Sequence, residues 1–201
     1  QPLVDAQGTL WENRDNGNNN GTGTGYTNLT LPNTGIETYL TINYYDDYDF
    51  HGNSFPPPNG TTQMLAARTK GLQTGSFVYQ LGSSTTRYLS VNYYDEEGRI
   101  IRTAADNHLE GKDYVDNTWN FAGELTASTR SHTGASGPAT TIATRHDYDH
   151  MGRKLAPMQS INGQGEVVLS KLAYNEVGQL LKKELHSKDN GGSFLQKTDY
   201  A

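Results

Sequence analysis

The string Tyr148-Asp149-His150-Met151-Gly152-Arg153-Lys154-Leu155 constrains the fold more than any other stretch, because it recurs. Tyr94-Asp95-Glu96-Glu97-Gly98-Arg99-Ile100-Ile101 has the same order: aromatic, Asp, two free positions, Gly, Arg, apolar pair. Tyr174-Asn175-Glu176-Val177-Gly178-Gln179-Leu180-Leu181 repeats it with Asn for Asp and Gln for Arg, and Trp119-Asn120-Phe121-Ala122-Gly123-Glu124-Leu125 is a looser copy. Tyr48-Asp49-Phe50-His51-Gly52-Asn53, with Phe55 beyond, is looser still. The leaders at 94, 119, 148 and 174 are spaced 25, 29 and 26 residues, and Tyr200 falls 26 residues further on, where the next leader is due. A self-similar period of this size is the mark of a repeat architecture, in which each unit buries its apolar surface against its neighbours.

Each copy reads as strand, turn, strand. Asp or Asn at the first turn position folds its side chain back onto the backbone two residues on, and Gly at the fourth supplies the positive φ that leads into the return strand. The aromatic before the turn and the apolar residues after it are expected to face each other across the hairpin. The elements predicted in chain order are strands at 38–45, 75–81, 87–94, 99–105, 112–119, 124–132, 141–148, 153–160, 166–174 and 179–187. The last of these has helical propensity of its own (Gln-Leu-Leu-Lys-Lys-Glu-Leu), but Gly178 and the repeat register make it a return strand, with Leu181 and Leu185 on one face. Residues 62–68 suggest one short helical turn. Asn162-Gly163 is the tightest hairpin signal in the chain.

The first 40 residues differ from the rest, so the domain reading is an atypical segment 1–40 followed by an array at 41–201, with clear units from about 87. Gly17-Asn18-Asn19-Asn20-Gly21-Thr22-Gly23-Thr24-Gly25 is low in complexity and reads as a mobile loop or linker. A phosphate-binding loop is disfavoured there, since no Lys-Ser/Thr follows the glycines and no apolar strand precedes them. Leu10 and Trp11 are expected to pin this segment to a neighbouring sheet. Pro56-Pro57-Pro58-Asn59-Gly60 calls for an extended excursion outside any ladder.

Composition fits this picture. Apolar residues make up 33% and charged residues 19%, and the polarity comes from Asn, Thr, Ser, Gly and 13 Tyr, which suits a twisted antiparallel sheet with a wet face. Such a chain buries a thin core. A start at Gln1 and a stop just after Tyr200 lead to the expectation that the native protein is larger. No cysteine is present, so there is neither a disulfide framework nor thiolate chemistry. A net charge of −6 without a basic cluster argues against nucleic acid as a partner, and no apolar run reaches the length of a membrane span.

The tyrosine–aspartate turn with its Gly-Arg and apolar pair resembles the YD repeats of the RHS family, which includes bacterial RHS proteins, the C components of insecticidal toxin complexes, and teneurins. The resemblance is strongest at Tyr94 to Arg99 and Tyr148 to Arg153 and covers the chain from about residue 40 onward. It implies an all-β fold of antiparallel hairpin repeats, forming part of a spiral, shell-like sheet that in bacterial members encloses a C-terminal toxin or effector. It further implies an exported, extracellular or cell-surface protein. Its partners would be the remainder of its own parent chain, export machinery or a surface glycan. The family's self-cleaving aspartate segment has no counterpart here, so no catalytic residue is carried over.

Chemistry-bearing clusters are read against this background. His146-Asp147-Tyr148-Asp149-His150 is the densest set of metal-ligand types, but on a strand His146, Tyr148 and His150 share one face and the carboxylates the other, and Asp149 is needed by its turn. Asp46, Asp47, Asp49 and Asn53 lack the spacing of a known calcium loop. Glu96, Glu97, Glu110 and Glu124 lie in or beside turns, where carboxylates are ordinarily solvated, and no Gly-x-Ser-x-Gly elbow occurs. The expectation is therefore a structural, non-enzymatic chain without metal or cofactor. A module binding glycan or a surface partner through exposed tyrosines is the alternative. The residues that carry the repeat are Tyr94, Asp95, Gly98, Arg99, Trp119, Asn120, Gly123, Tyr148, Asp149, Gly152, Arg153, Tyr174, Asn175 and Gly178.

Overall fold

A computed structural model describes residues 8–58, 68–83 and 85–200. The chain is all-β: among the described residues eleven strands form one antiparallel sheet in which spatial order follows chain order, and these strands do not close into a barrel. The strands are β1 (Thr41–Tyr45), β2 (Gln73–Tyr79), β3 (Arg87–Tyr94), β4 (Ile100–Asp106), β5 (Lys112–Trp119), β6 (Leu125–His132), β7 (Thr140–Tyr148), β8 (Lys154–Ile161), β9 (Val167–Tyr174), β10 (Leu180–Ser187) and β11 (Gln196–Asp199). Residues 180–187 are strand despite their helical propensity, because pairing with β9 on one side and β11 on the other outweighs local preference. β11, polar and only four residues long, is the one strand that alternation in the sequence does not announce. Most of the stretch 62–68, where a helical turn is expected, lies outside the described residues.

Compactness divides the chain into two units at β4: Gln1–Ile100 with Ala104–Asp106, and Ile101–Thr103 with Asn107–Ala201.

The first unit has a side-chain core. Leu89, Val91 and Tyr93 alternate along β3 onto one face and are 1%, 0% and 0% exposed. Tyr44 stacks on Phe50 with ring centroids 4.3 Å apart, and Tyr48 on Tyr93 at 4.7 Å. Gly75 makes room for the first stack, since a Cβ there would lie 2.3 Å from the Phe50 ring. The buried phenols are served by backbone: Tyr93 donates to the Phe55 carbonyl at 2.8 Å and Tyr44 to the Thr24 carbonyl, while Tyr48 accepts the Tyr94 N–H at 3.2 Å. Burial pushes the Tyr44 phenol up to about 12 and raises that of Tyr48 as well.

This packing corrects the reading of Tyr48 to Asn53 as a looser hairpin turn. Asn53 donates its N–H to the Phe50 carbonyl at 3.2 Å, so the turn starts at Phe50, one residue after the Asp49 that the repeat would use. The segment lies in the connection between β1 and β2 with no strand directly flanking it among the described residues, and its aromatic residues fill the core. Leu10 and Trp11, expected to anchor the N-terminal segment, are 71% and 66% exposed. The segment is held to the strands instead by Arg14 and Tyr26, which donate to the Tyr45 and Asn43 carbonyls, and by Tyr44 and Arg87, which donate to the Thr24 and Gly23 carbonyls. It is tied within itself by Glu12. The Glu12 carboxylate accepts the Thr27 and Thr30 hydroxyls and the Leu29 and Thr30 N–H groups, and these bonds outweigh the opposing effect of burial to bring its carboxyl down to about 2. The Gly/Asn-rich stretch, expected as a mobile loop, is laced from Asn18 to Tyr26 by such bonds and closed by a bridge between Arg14 and Tyr26.

The second unit is built differently. Among its described residues only Met158 and Val168 are buried apolar side chains. Asp116, Thr129, Ala143 and Ser160 oppose one another across β5 to β8, a row of small and polar residues. One residue over, on the opposite face, run Val115, Arg130, Ile142 and Ile161. Ionic pairs dress both faces: Arg102 with Asp116 at 2.5 Å, Arg145 with Asp147 at 2.7 Å and Glu166 at 3.2 Å, and Glu184 between Lys182 at 2.9 Å and Lys197 at 3.3 Å. The partly exposed pairs of Arg102 and Arg145 each contribute at most about 1 kcal/mol, whereas Glu184 is buried.

Candidate functional site

The residues singled out by the repeat converge on one local structure. In the turn between β7 and β8, Gly152 donates its N–H to the Asp149 carbonyl at 3.0 Å, and Asp149 donates its own to the Arg153 carbonyl at 3.0 Å. Gly152 has φ 75°, the left-handed conformation that completes a three-residue hairpin loop with a glycine bulge. The Asp149 carboxylate accepts the N–H of Met151 and of Arg153, both at 2.9 Å, and Arg153 Nε–H at 2.7 Å. The backbone N–H of Arg153, with further help from its guanidinium and from Met151, holds the Asp149 carboxyl below the usual carboxylate range. The β3–β4 turn is the same: Asp95 accepts from Glu97 N–H at 3.0 Å, Arg99 N–H at 2.8 Å and Arg99 Nε at 2.6 Å, with Gly98 at φ 78°.

The copies that look degraded in sequence keep the lock by reversing its polarity. Asn175 accepts the Val177 and Gln179 N–H groups through Oδ1 and donates from Nδ2 to Gln179 Oε1 at 2.8 Å. Asn120 accepts the Glu124 N–H at 2.9 Å and donates to Glu124 Oε2 at 2.5 Å. Where the first residue is an anion, the fifth is a cationic donor; where the first is an amide, the fifth is an acceptor. Gly123 and Gly178 take φ 84° and 87°.

A fifth copy escapes sequence reading. Asn107 accepts the Leu109 and Gly111 N–H groups at 3.0 and 3.1 Å, and Glu110 N–H bonds the Asn107 carbonyl at 3.2 Å. Here Glu110, not glycine, carries the left-handed φ of 56°. The glycine is displaced to position 111, where a Cβ would stand 1.8 Å from the Thr133 carbonyl oxygen. Close approach of two backbones sets that glycine, so the expected spacing of Asn and Gly is broken.

The leading aromatics oppose the start of their own return strands, Trp119 with Leu125, Tyr148 with Lys154 and Tyr174 with Leu180, and the tyrosine hydroxyls also reach the preceding hairpin. Tyr148 donates its hydroxyl to the Leu125 carbonyl at 3.0 Å, Tyr174 to the Lys154 carbonyl at 3.3 Å, and Tyr94 to the Gln73 carbonyl at 2.8 Å. Each acceptor is the first residue of the return strand one hairpin earlier. The fifth-position side chain makes the reverse contact: Arg153 lies over the Tyr174 ring at 4.8 Å and donates to the Asn175 carbonyl at 3.3 Å. The junction at Tyr174 is thus tied by a phenol, a guanidinium and the ring beneath it, and those at Tyr148 and Tyr94 by the phenol.

The remaining candidates stay apart. His146 pairs across the ladder with Pro157 and meets the edge of Tyr148 at 6.4 Å; its Nδ1 is buried without a hydrogen-bond partner. Burial, and then the nearby Lys154, lower its pKa. His150 and Asp147 are exposed. Asp47 pairs with Arg14 at 3.4 Å and caps the Asp49 N–H at 3.0 Å. Among the described residues no group of three or more His, Asp or Glu side chains is arranged to hold a metal ion, and no helix is long and apolar enough to cross a membrane. An open cleft of about 490 Å³ lies between β1 and the N-terminal segment, lined by Tyr26, Leu31, Pro32, Ile36, Tyr39 and Ile42 among others.

No family model matches the chain, and no curated protein matches it.

Proposed function

We propose that this chain is a segment of wall in a large exported RHS/YD-repeat protein, whose work is to build a β-shell around a C-terminal toxin or effector and not to catalyse. The observation that carries this reading is the junction between hairpins, in which a leading tyrosine bonds the preceding return strand and an arginine reaches the following turn. Side chains spent on joining one hairpin to the next extend a sheet from unit to unit without demanding a thick core. The resemblance of Tyr94 to Arg99 and Tyr148 to Arg153 to YD repeats supplies the family, the export and the bacterial surface setting.

Limited proteolysis of the parent polypeptide, read by mass spectrometry, tests it. A C-terminal region cut only after mild denaturation is the expected result; a C-terminal region cut freely in the native state overturns the container.

A second reading, a surface module for glycan or a cell-surface partner, is favoured by Phe121, Met151 and Val177. These stand exposed at the tips of three alternate turns, which an antiparallel meander sets along one side of the second unit. Binding that is lost on changing Phe121 and Met151 to Ser, with the fold intact, would move it to the front.

A further inference from the structure

β1 is the first strand in the order of the sheet, and among the described residues no strand lies beside the edge it presents. An open edge with alternating buried and exposed residues, as in Thr41–Tyr45, is a template on which another chain can add a strand. Yet two backbone acceptors of this strand are already occupied by side chains. Tyr26 donates its hydroxyl to the Asn43 carbonyl at 2.7 Å, and Arg14 Nη2 donates to the Tyr45 carbonyl at 2.7 Å. The two residues oppose each other in the bridge that closes the N-terminal loop, so one local structure delivers both donors to alternate positions of the strand.

The donors are held from several sides. The Arg14 guanidinium lies over the rings of Tyr26 and Tyr44 at 5.6 and 5.4 Å and pairs with Asp47 at 3.4 Å. Tyr26 stacks on Tyr44 at 5.5 Å. Two strands grip the loop itself: Tyr44 donates to the Thr24 carbonyl, and Arg87 to the Gly23 carbonyl at 3.0 Å. Gly25 allows this seat, because a Cβ there would lie 2.8 Å from His51 Cβ.

We infer that residues 12–30 are an edge cap, which closes β1 against pairing with a second copy of the chain. The cap is a loop whose side chains take hydrogen bonds that a neighbouring strand would make. The inference is independent of what the sheet encloses, and of the wall reading itself.

The chain has no cysteine, so a single introduced thiol reports edge pairing cleanly. Asn43 is exposed at the middle of β1, and in a symmetric antiparallel pairing of two β1 edges about that position it would face its own copy. Asn43→Cys is placed in the otherwise unaltered chain and in the Arg14→Gln/Tyr26→Phe variant, and disulfide-linked dimer is followed under mild oxidation. The uncapped variant is expected to form the 43–43 dimer about tenfold faster, with a matching rise in self-association by sedimentation. Equal rates in the two backgrounds, with near-UV circular dichroism unchanged, overturn the cap. If the double variant loses its near-UV signal, Tyr26→Phe alone decides. It keeps the ring on Tyr44 and removes only the hydroxyl, so a natively folded single variant with no gain in dimer also overturns the inference.

Discussion

The two units of this chain reach a folded sheet by different means. The first buries Tyr44, Leu89, Val91 and Tyr93 almost completely, behind stacked aromatic rings. The second has two buried apolar side chains among its described residues and is held by locked turns, cross-strand pairs and phenol-to-carbonyl bonds between hairpins. Burial of apolar area stabilises at roughly 25 cal/mol per Å², so the first unit draws on a resource that the second largely lacks. The difference teaches that a thin sheet can be specified by its turns, provided each turn also contacts its neighbour.

The sharpest way to test this contrast is to remove core volume from the first unit. Leu89→Ala is expected to cost about 3 kcal/mol through lost burial and a residual cavity, with hydrogen-exchange protection lost mainly from β1 to β3. A loss below about 1 kcal/mol would mean that the core is not what holds this unit.

In the second unit the sensitive positions should be turns. Gly152→Val is expected to cost about 1–3 kcal/mol by urea denaturation, because a β-branched residue resists φ 75°. Tolerance of Val there would remove the turn from the account.

The reversed locks allow a smaller but more specific test. Asn120→Asp places a carboxylate against Glu124 and should cost about 1 kcal/mol near neutral pH, a loss that fades as pH falls and one carboxyl takes up a proton. Adding Glu124→Arg converts the pair to the Asp–Arg form seen at Asp149 and should restore stability. If the double variant is as unstable as the single, the two forms of the lock are not interchangeable.

The smallest expected effect is on pH dependence. Burial and Lys154 depress the pKa of His146, so over the interval between its folded value and the unfolded value of about 6.5 the unfolded chain binds more protons. Stability from this residue is full above that interval and is lost as pH falls through it. His146→Gln should flatten this part of a melting-temperature profile between pH 7.5 and 5; an unchanged profile would exclude His146 as its source.

Much of the fold is legible in the residues themselves. Arg87–Tyr94 and Lys112–Trp119 are strands over the bounds that alternation and flanking turns mark, and Gly98, Gly123, Gly152 and Gly178 take the left-handed conformation that the turn pattern asks of them. Three features are not legible, each for a physical reason. The Asn107 turn hides because Gly111 answers to the Thr133 backbone and leaves the left-handed position to Glu110. Tyr48 and Phe50 imitate a repeat while serving the core, since one motif of aromatic, Asp and Gly suits either role until packing decides. The tyrosine junctions hide because spacing along one strand says nothing about which neighbouring carbonyl a phenol will reach.

The claim at the centre is that phenol bonds between hairpins, and not a core, make the second unit one cooperative sheet. Hydrogen exchange read by mass spectrometry on Tyr148→Phe/Tyr174→Phe tests it most directly, since each change removes one hydroxyl and keeps the ring. The expected result is a joint loss of protection from β5 to β10, of about 1 kcal/mol per bond removed, with β1 to β3 unchanged. Loss confined to the strands carrying the two substitutions, or none at all, would contradict it.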